Sequence, residues 1–175
     1  IYDDRTTGMH WQLQKVGARH GRRYYETGTR MPVSIFIGGD PMFPFAATAP
    51  LPDGLDEFLL AGYLRKKSVE LVKCETNDML IPANAELVIE GEVLLDQMQP
   101  EGPFGEMYGY LGLKKEQNFV MEVTCITHRK QPWILNQFTG VTRGFCTAPL
   151  EAFSFYRLKK SIPNAVAFHS PVEWT

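Results

Sequence analysis

Two carboxylates five residues apart, Glu101 and Glu106, bracket Gly102-Pro103-Phe104-Gly105 in the segment Pro100 to Tyr110. A Gly-Pro turn folds the backbone back on itself, so both side chains can point into one space. Carboxylates that share a site raise each other's proton affinity, which leaves one ionised and one able to donate a proton near neutral pH. The same spacing suits a hairpin loop with two solvated glutamates, and spacing alone does not choose between the two.

A second group lies in Ala46 to Glu57 (AATAPLPDGLDE). Asp53 is a good helix N-cap, Asp56 three residues on approximates a capping box, and Glu57 suits the helix dipole in the first turn. A carboxylate at the position of Glu57 can also turn inward as a ligand for a hard metal ion. The small residues Ala47, Thr48 and Ala49, followed by Pro50, let a planar ligand approach the backbone, although tight packing uses such residues equally well. A third group, Thr6-Thr7-Gly8-Met9-His10-Trp11-Gln12, places hydroxyls and amides that can hold a phosphate beside a histidine and an indole that can simply pack together. His20, His128 and His169 have no histidine partner four residues away, so a histidine-based metal site is not expected. Cys74, Cys125 and Cys146 form no C-x-x-C pair and read as reduced thiols, with no histidine near Cys74 in sequence to activate it.

These groups must be positioned by a chain of 175 residues with 44% hydrophobic content, enough for one globular core, and the whole of 1–175 is read as one domain. Eighteen basic against twenty acidic residues leave a net charge of −2, which offers nothing to a nucleic-acid backbone or an anionic membrane. No apolar run is long enough to span a bilayer, the N-terminus lacks the features of a signal peptide, and a cytosolic protein is expected. Apolar, β-branched or alternating runs predict strands at Met31 to Ile37, Val69 to Cys74, Leu87 to Leu95, Phe119 to Thr127 and Ile134 to Thr139. Helices are expected at Lys15 to Glu26, Gly54 to Lys66 and Leu150 to Lys160. The fold class is therefore mainly β with flanking helices (α+β), the strands forming a closed or partly closed barrel. Ile1-Tyr2 reads as the tail of a strand already under way, as in an internal fragment.

Five segments in this order resemble the UbiD family of reversible decarboxylases: Thr6 to Gln12, Ala49-Pro50-Leu51-Pro52-Asp53-Gly54, Val69 to Cys74, Ile81 to Glu86 and Pro100 to Tyr110. The match runs through almost the whole chain and is strongest to the branch acting on hydroxylated aromatic acids. The resemblance implies a split β-barrel like that of flavin reductases, holding prenylated FMN with a divalent metal, commonly manganese, and potassium. It implies that Glu106 protonates the substrate carbon after carbon dioxide leaves, with Glu101 in the same Glu-Arg-Glu network; some relatives have Asp in place of Glu106. It further implies that Glu57 is a metal ligand and that Ala47, Thr48, Ala49 and Pro50 lie against the flavin.

Two departures stand out. Gln14 occupies a position where many relatives have a metal-binding histidine, so an amide oxygen, which would also lie beside the cofactor, replaces imidazole. The metal-binding asparagine and the catalytic arginine of relatives fall upstream of the segment matching Ile1 to Asp4, and a C-terminal α/β domain falls beyond Thr175, so the fragment by itself is expected to be inactive. The implied partners are a small aromatic acid and carbon dioxide, in a homo-oligomer or a carboxylase complex. Two alternatives are a flavin-binding or assembly module without catalysis, and an FMN reductase on the same barrel, for which no nicotinamide motif is present.

Overall fold

The computed structural model describes residues 1–11, 15–49, 51, 52, 54–105, 109–136 and 147–169. In chain order the elements are β1 (Thr6–Met9), α1 (Val16–Thr27), β2 (Met31–Ile37), α2 (Met42–Thr48), α3 (Glu57–Arg65), β3 (Leu71–Lys73), β4 (Leu80–Pro82), β5 (Leu87–Glu101), β6 (Lys115–His128) and α4 (Thr147–Ser161). Mixed α+β architecture with antiparallel sheets is thus what the alternating runs build. All six strands and α1 belong to one compact unit, and α2, α3 and α4 to another.

In the strand unit, four strands pair antiparallel in the order β1-β6-β5-β2, and β3 and β4 form a separate ribbon. No pairing among the described residues joins β1 to β2, so the sheet is open there. Residues 1 and 2 form no strand, and 134–136 form none either, while 137–139 lie outside the described residues.

Each face of the sheet buries its own cluster, as period-two alternation requires. On one face Met31, Val93, Leu95 and Met121 pack with Met9, Trp11, Ile35, Ile89 and Phe119. On the other, Val88 packs with Cys74, Ile81 and Phe36. Helix α1 carries a notch for the indole of Trp11. A Cβ added at Gly21 would come within 2.7 Å of that ring, and one at Gly17 within 3.2 Å, so two glycines one turn apart let the ring lie against the helix backbone. The helix ends at Gly28, whose φ of 67° is the left-handed conformation that glycine adopts without steric cost.

Strands β5 and β6 place like charges opposite each other at Glu92 and Glu122. Arg30, one residue before β2, reaches both, at 3.6 Å and 2.9 Å.

Glu90, only 1% exposed, is the charged member of the core. Its carboxylate accepts from the backbone N–H of Glu75 (2.9 Å), the N–H of Thr76 (2.7 Å) and the Thr76 hydroxyl (2.7 Å), tying the loop after β3 to the sheet. Burial works against the charge, but the Thr76 hydroxyl and the two backbone donors together outweigh it and hold the carboxyl below its ordinary value of 4.5. A folded-state value below the unfolded one contributes stability that is complete above the unfolded value and is lost as pH falls through the folded one. Glu90→Gln is therefore expected to cost about 1–3 kcal/mol at pH 7. Denaturant titrations should show the gap between variant and wild type narrowing below about pH 4.5; a gap independent of pH would mean that the charge of Glu90 contributes nothing.

In the helical unit, α3 starts at Glu57, three residues later than the sequence suggests, because the Asp56 carboxylate accepts from Phe58 N–H at 2.7 Å and is the actual N-cap. Asp53 lies outside the described residues. Helices α2 and α3 pack through Phe43 and Phe58, edge to face at 6.2 Å, with the Arg65 guanidinium 5.4 Å from the Phe43 ring centre.

Candidate functional site

Glu101 is the last residue of β5, paired in register with Lys115, the first of β6. Cross-strand partners project from the same face of a sheet, so an anion and a cation start side by side. Met9 and Trp11 pack into the core, and the alternation that directs them inward directs His10, between them, the other way. Its Nδ1 lies 2.6 Å from Glu101 Oε2, and its Nε2 lies 3.4 Å from Lys115 Nζ. The Phe104 ring stands edge-on to the imidazole at 4.9 Å. On the neighbouring residue, the Tyr2 hydroxyl donates to the carbonyl of Pro100 at 3.2 Å.

The turn thus presents Glu101 already engaged by a histidine 91 residues away in sequence, a partner that the spacing of the two glutamates gives no hint of. With a carboxylate against its Nδ1, the His10 side chain is a poor phosphate ligand. Glu106 lies outside the described residues, as do Gln14 and Pro50.

The other sequence-derived residues belong to the helical unit. Ala47 and Thr48 end α2 with exposed side chains, and Ala49 is half-buried. The Thr48 hydroxyl turns back to donate to the carbonyl of Phe45 at 2.9 Å, so the segment offers methyl groups and backbone to whatever lies against it. Glu57 occupies the first turn of α3 and is exposed. Among the described residues no three His, Cys, Asp or Glu side chains gather as a metal site. Cys74 is buried, its thiol donating to the Ser34 hydroxyl at 3.2 Å, which agrees with an inert structural cysteine.

Sequence reasoning passed over Asn118. It is buried on β6, and among the described residues its Nδ2 has no hydrogen-bond partner; a single asparagine in an alternating strand carries no signal of this kind. A cleft of about 720 Å³ between α1 and the sheet is lined by Trp11, Gly21, Arg22, Leu95, Met98 and Phe119 among others, and of the described site residues Glu101, Glu57 and Ala47 to Ala49 do not border it.

Comparison with known proteins agrees with this layout. Residues 1–142 match the domain described as UbiD: 3-octaprenyl-4-hydroxybenzoate carboxy-lyase Rift-related domain. An uncharacterized protein of Archaeoglobus fulgidus is 48% identical over 133 residues, 75% of this chain and 27% of its own length. One from Aquifex aeolicus is 38% identical over 183 residues, 99% of this chain and 36% of its own length. The chain therefore spans only about a third or less of these relatives. Among solved structures, the UbiD-class enzyme HmfF from Pelotomaculum thermopropionicum, in complex with FMN, superposes with a TM-score of 0.82 at 31% identity, over 93% of this chain and 36% of that one. The vanillic acid decarboxylase of Sedimentibacter hydroxybenzoicus gives 0.80 at 26% identity, over 95% and 37%. A match that takes in every element from β1 to β6 leaves one conclusion about descent: this chain belongs to the UbiD carboxy-lyase family.

Proposed function

We propose that this chain is the cofactor-binding part of a prenylated-FMN-dependent enzyme that reversibly decarboxylates an aromatic, phenolic carboxylic acid. The observation that carries the reading is the family match over residues 1–142. Support for the cofactor comes from HmfF, solved both with FMN and, as an evolved dimeric form, with prFMN. Support for a phenolic acid comes from the vanillic acid decarboxylase. A split barrel, of which the four-stranded sheet would be part, belongs to the same reading, as do a cytosolic location and assembly into an oligomer. Among the described residues no helix is long and apolar enough to cross a membrane.

The described residues fit the flavin in one respect. The end of α2 carries nothing larger than threonine from Ala47 to Ala49, and its one hydroxyl is already satisfied by Phe45, so a flat ring can rest on it; Pro50, next in sequence, belongs to the same proposed contact. For manganese they supply one oxygen donor, Glu57, to which Gln14 would add a neutral amide oxygen close to the cofactor; potassium would take further oxygens.

When bound, prenylated FMN supplies the sink for the electron pair of the breaking carbon–carbon bond. The chain's own part is proton delivery. As the carboxylate leaves as carbon dioxide, Glu106 gives its proton to the carbon that bore it and is left ionised until solvent reprotonates it. Glu101, five residues earlier in the sequence, is held by His10. In the carboxylating direction, at high bicarbonate, Glu106 takes that proton back.

Native mass spectrometry after anaerobic incubation with prenylated FMN and manganese, read with the visible absorbance, tests the binding part. A 1:1 complex is expected, and Glu57→Gln should weaken its manganese-dependent component by about tenfold or more, the worth of one charge-assisted contact. A folded chain that takes up no cofactor would mean that residues outside this chain complete the site. Uptake without turnover in the full-length protein would favour a flavin-binding or assembly module, the reading toward which Gln14 points.

A further inference from the structure

The contacts of His10 fix more than its position. A lysine ammonium has only donors, and an ionised carboxylate only acceptors. An imidazole held between Lys115 Nζ at its Nε2 and Glu101 Oε2 at its Nδ1 has one arrangement that satisfies both: a lone pair on Nε2 facing the ammonium, and a proton on Nδ1 donated to the carboxylate. This is the less common tautomer of a free histidine side chain, and which nitrogen carries the proton is set by what the other one meets. The Phe104 ring packs edge-on against the imidazole at 4.9 Å, which supports this ring position.

The arrangement gives little as a stability device. His10 and Glu101 keep 31% and 21% of their side-chain surface exposed, and partly exposed pairs are worth little. Its effect is directional. Oε2 of Glu101 is engaged at 2.6 Å, which leaves Oε1 as the oxygen for other partners.

We propose that His10 and Lys115 are positioning residues for the reaction: Lys115 selects the Nδ1–H tautomer of His10, and His10 clamps Glu101 so that it presents Oε1 alone. The proposal rests on the decarboxylase reading for what Glu101 then does, but the tautomer itself can be observed without turnover.

The test has two arms. In the first, the chain labelled with nitrogen-15 histidine is examined by long-range proton–nitrogen correlation near pH 8, above the ordinary imidazole range. His10 is expected to show a protonated Nδ1 and a bare Nε2 in the wild type and to move toward the Nε2–H form in Lys115→Met. An Nε2–H signal in the wild type, or a tautomer indifferent to Lys115→Met, would overturn the proposal. In the second arm, the full-length enzyme loaded with prenylated FMN carries His10→Leu or His10→Asn. Loss of the clamp in His10→Leu should lower kcat by about tenfold or more, with KM within about twofold. The Asn amide N–H stands close to where Nδ1–H was, and that variant should recover most of the loss. An Asn variant as slow as the Leu variant would also overturn the proposal, since a purely structural role predicts no rescue by the N–H donor. If the tautomer responds to Lys115 but no variant, wild type included, decarboxylates an aromatic acid, the decarboxylase reading falls and the clamp stands.

Discussion

Decarboxylation by the full-length enzyme is expected to fall by about a hundredfold to ten-thousandfold in Glu106→Gln, the range over which positioned general acids act. Glutamine keeps the size and most of the hydrogen bonding of glutamate but has no acid proton to give. The loss should therefore sit in kcat, with KM and cofactor loading close to the wild type. Glu106→Asp, matching the residue found in some relatives, should retain a measurable part of the activity. Reaction in deuterium oxide adds a positional check: the wild type should place deuterium on the carbon that lost the carboxylate. Turnover unchanged in Glu106→Gln would end the acid role, and with it the two-carboxylate reading of the Pro100 to Tyr110 turn.

The largest expected loss of stability is at Gly91. In the β5–β6 ladder Glu90 faces Cys125 while Gly91 faces Val123, so Thr124 is the extra residue of a bulge in β6. A Cβ on residue 91 would come to 2.1 Å from the Glu122 carbonyl oxygen and 2.7 Å from Met121 Cε. The methionine tip can swing aside, but the carbonyl is backbone in the middle of the central strand pair. Gly91→Ala must part the two strands where they are most buried, and should cost about 3 kcal/mol or more. Gly105 is the control, because an added Cβ there meets nothing within 4 Å among the described residues, and Gly105→Ala should stay within about 0.5 kcal/mol of wild type. Denaturant midpoints followed by circular dichroism decide it; equal midpoints for the two variants would mean that the bulge tolerates a side chain.

Strand β2 was legible to the residue, because MPVSIFI is apolar but for Ser34 and ends at two glycines. Strands β5 and β6 were found but read too short. Their pattern ends where the core ends, while the segments 96–101 and 115–118 extend beyond it, paired mainly with each other and mostly exposed. Strand β1, four half-buried residues at a sheet edge, offers too few apolar positions to show a period. Helix α2 was hidden by Pro44, which breaks a helix interior but sits here in the first turn, where its missing N–H costs nothing. At the site, the Gly102-Pro103 turn after β5 was readable, while Glu106 lies outside the described residues. The engagement of Glu101 by His10, and of His10 by Lys115, was not, since it depends on how β5 and β6 pair at their far ends. The one local clue was His10 itself, a polar residue between two core residues and so already turned away from the core.

The opposed Glu92 and Glu122 bear on the order in which the sheet assembles. A β5–β6 hairpin standing alone sets two carboxylates face to face, and like charges in that position disfavour the pairing. Arg30 relieves the repulsion only when the start of β2 arrives beside β5. The first two strands are thus better matched once the third is present, so the sheet gains cooperativity from a defect in its central pair. Such a hairpin, released from β2, also carries an electrostatic bias against pairing prematurely with strands of other chains.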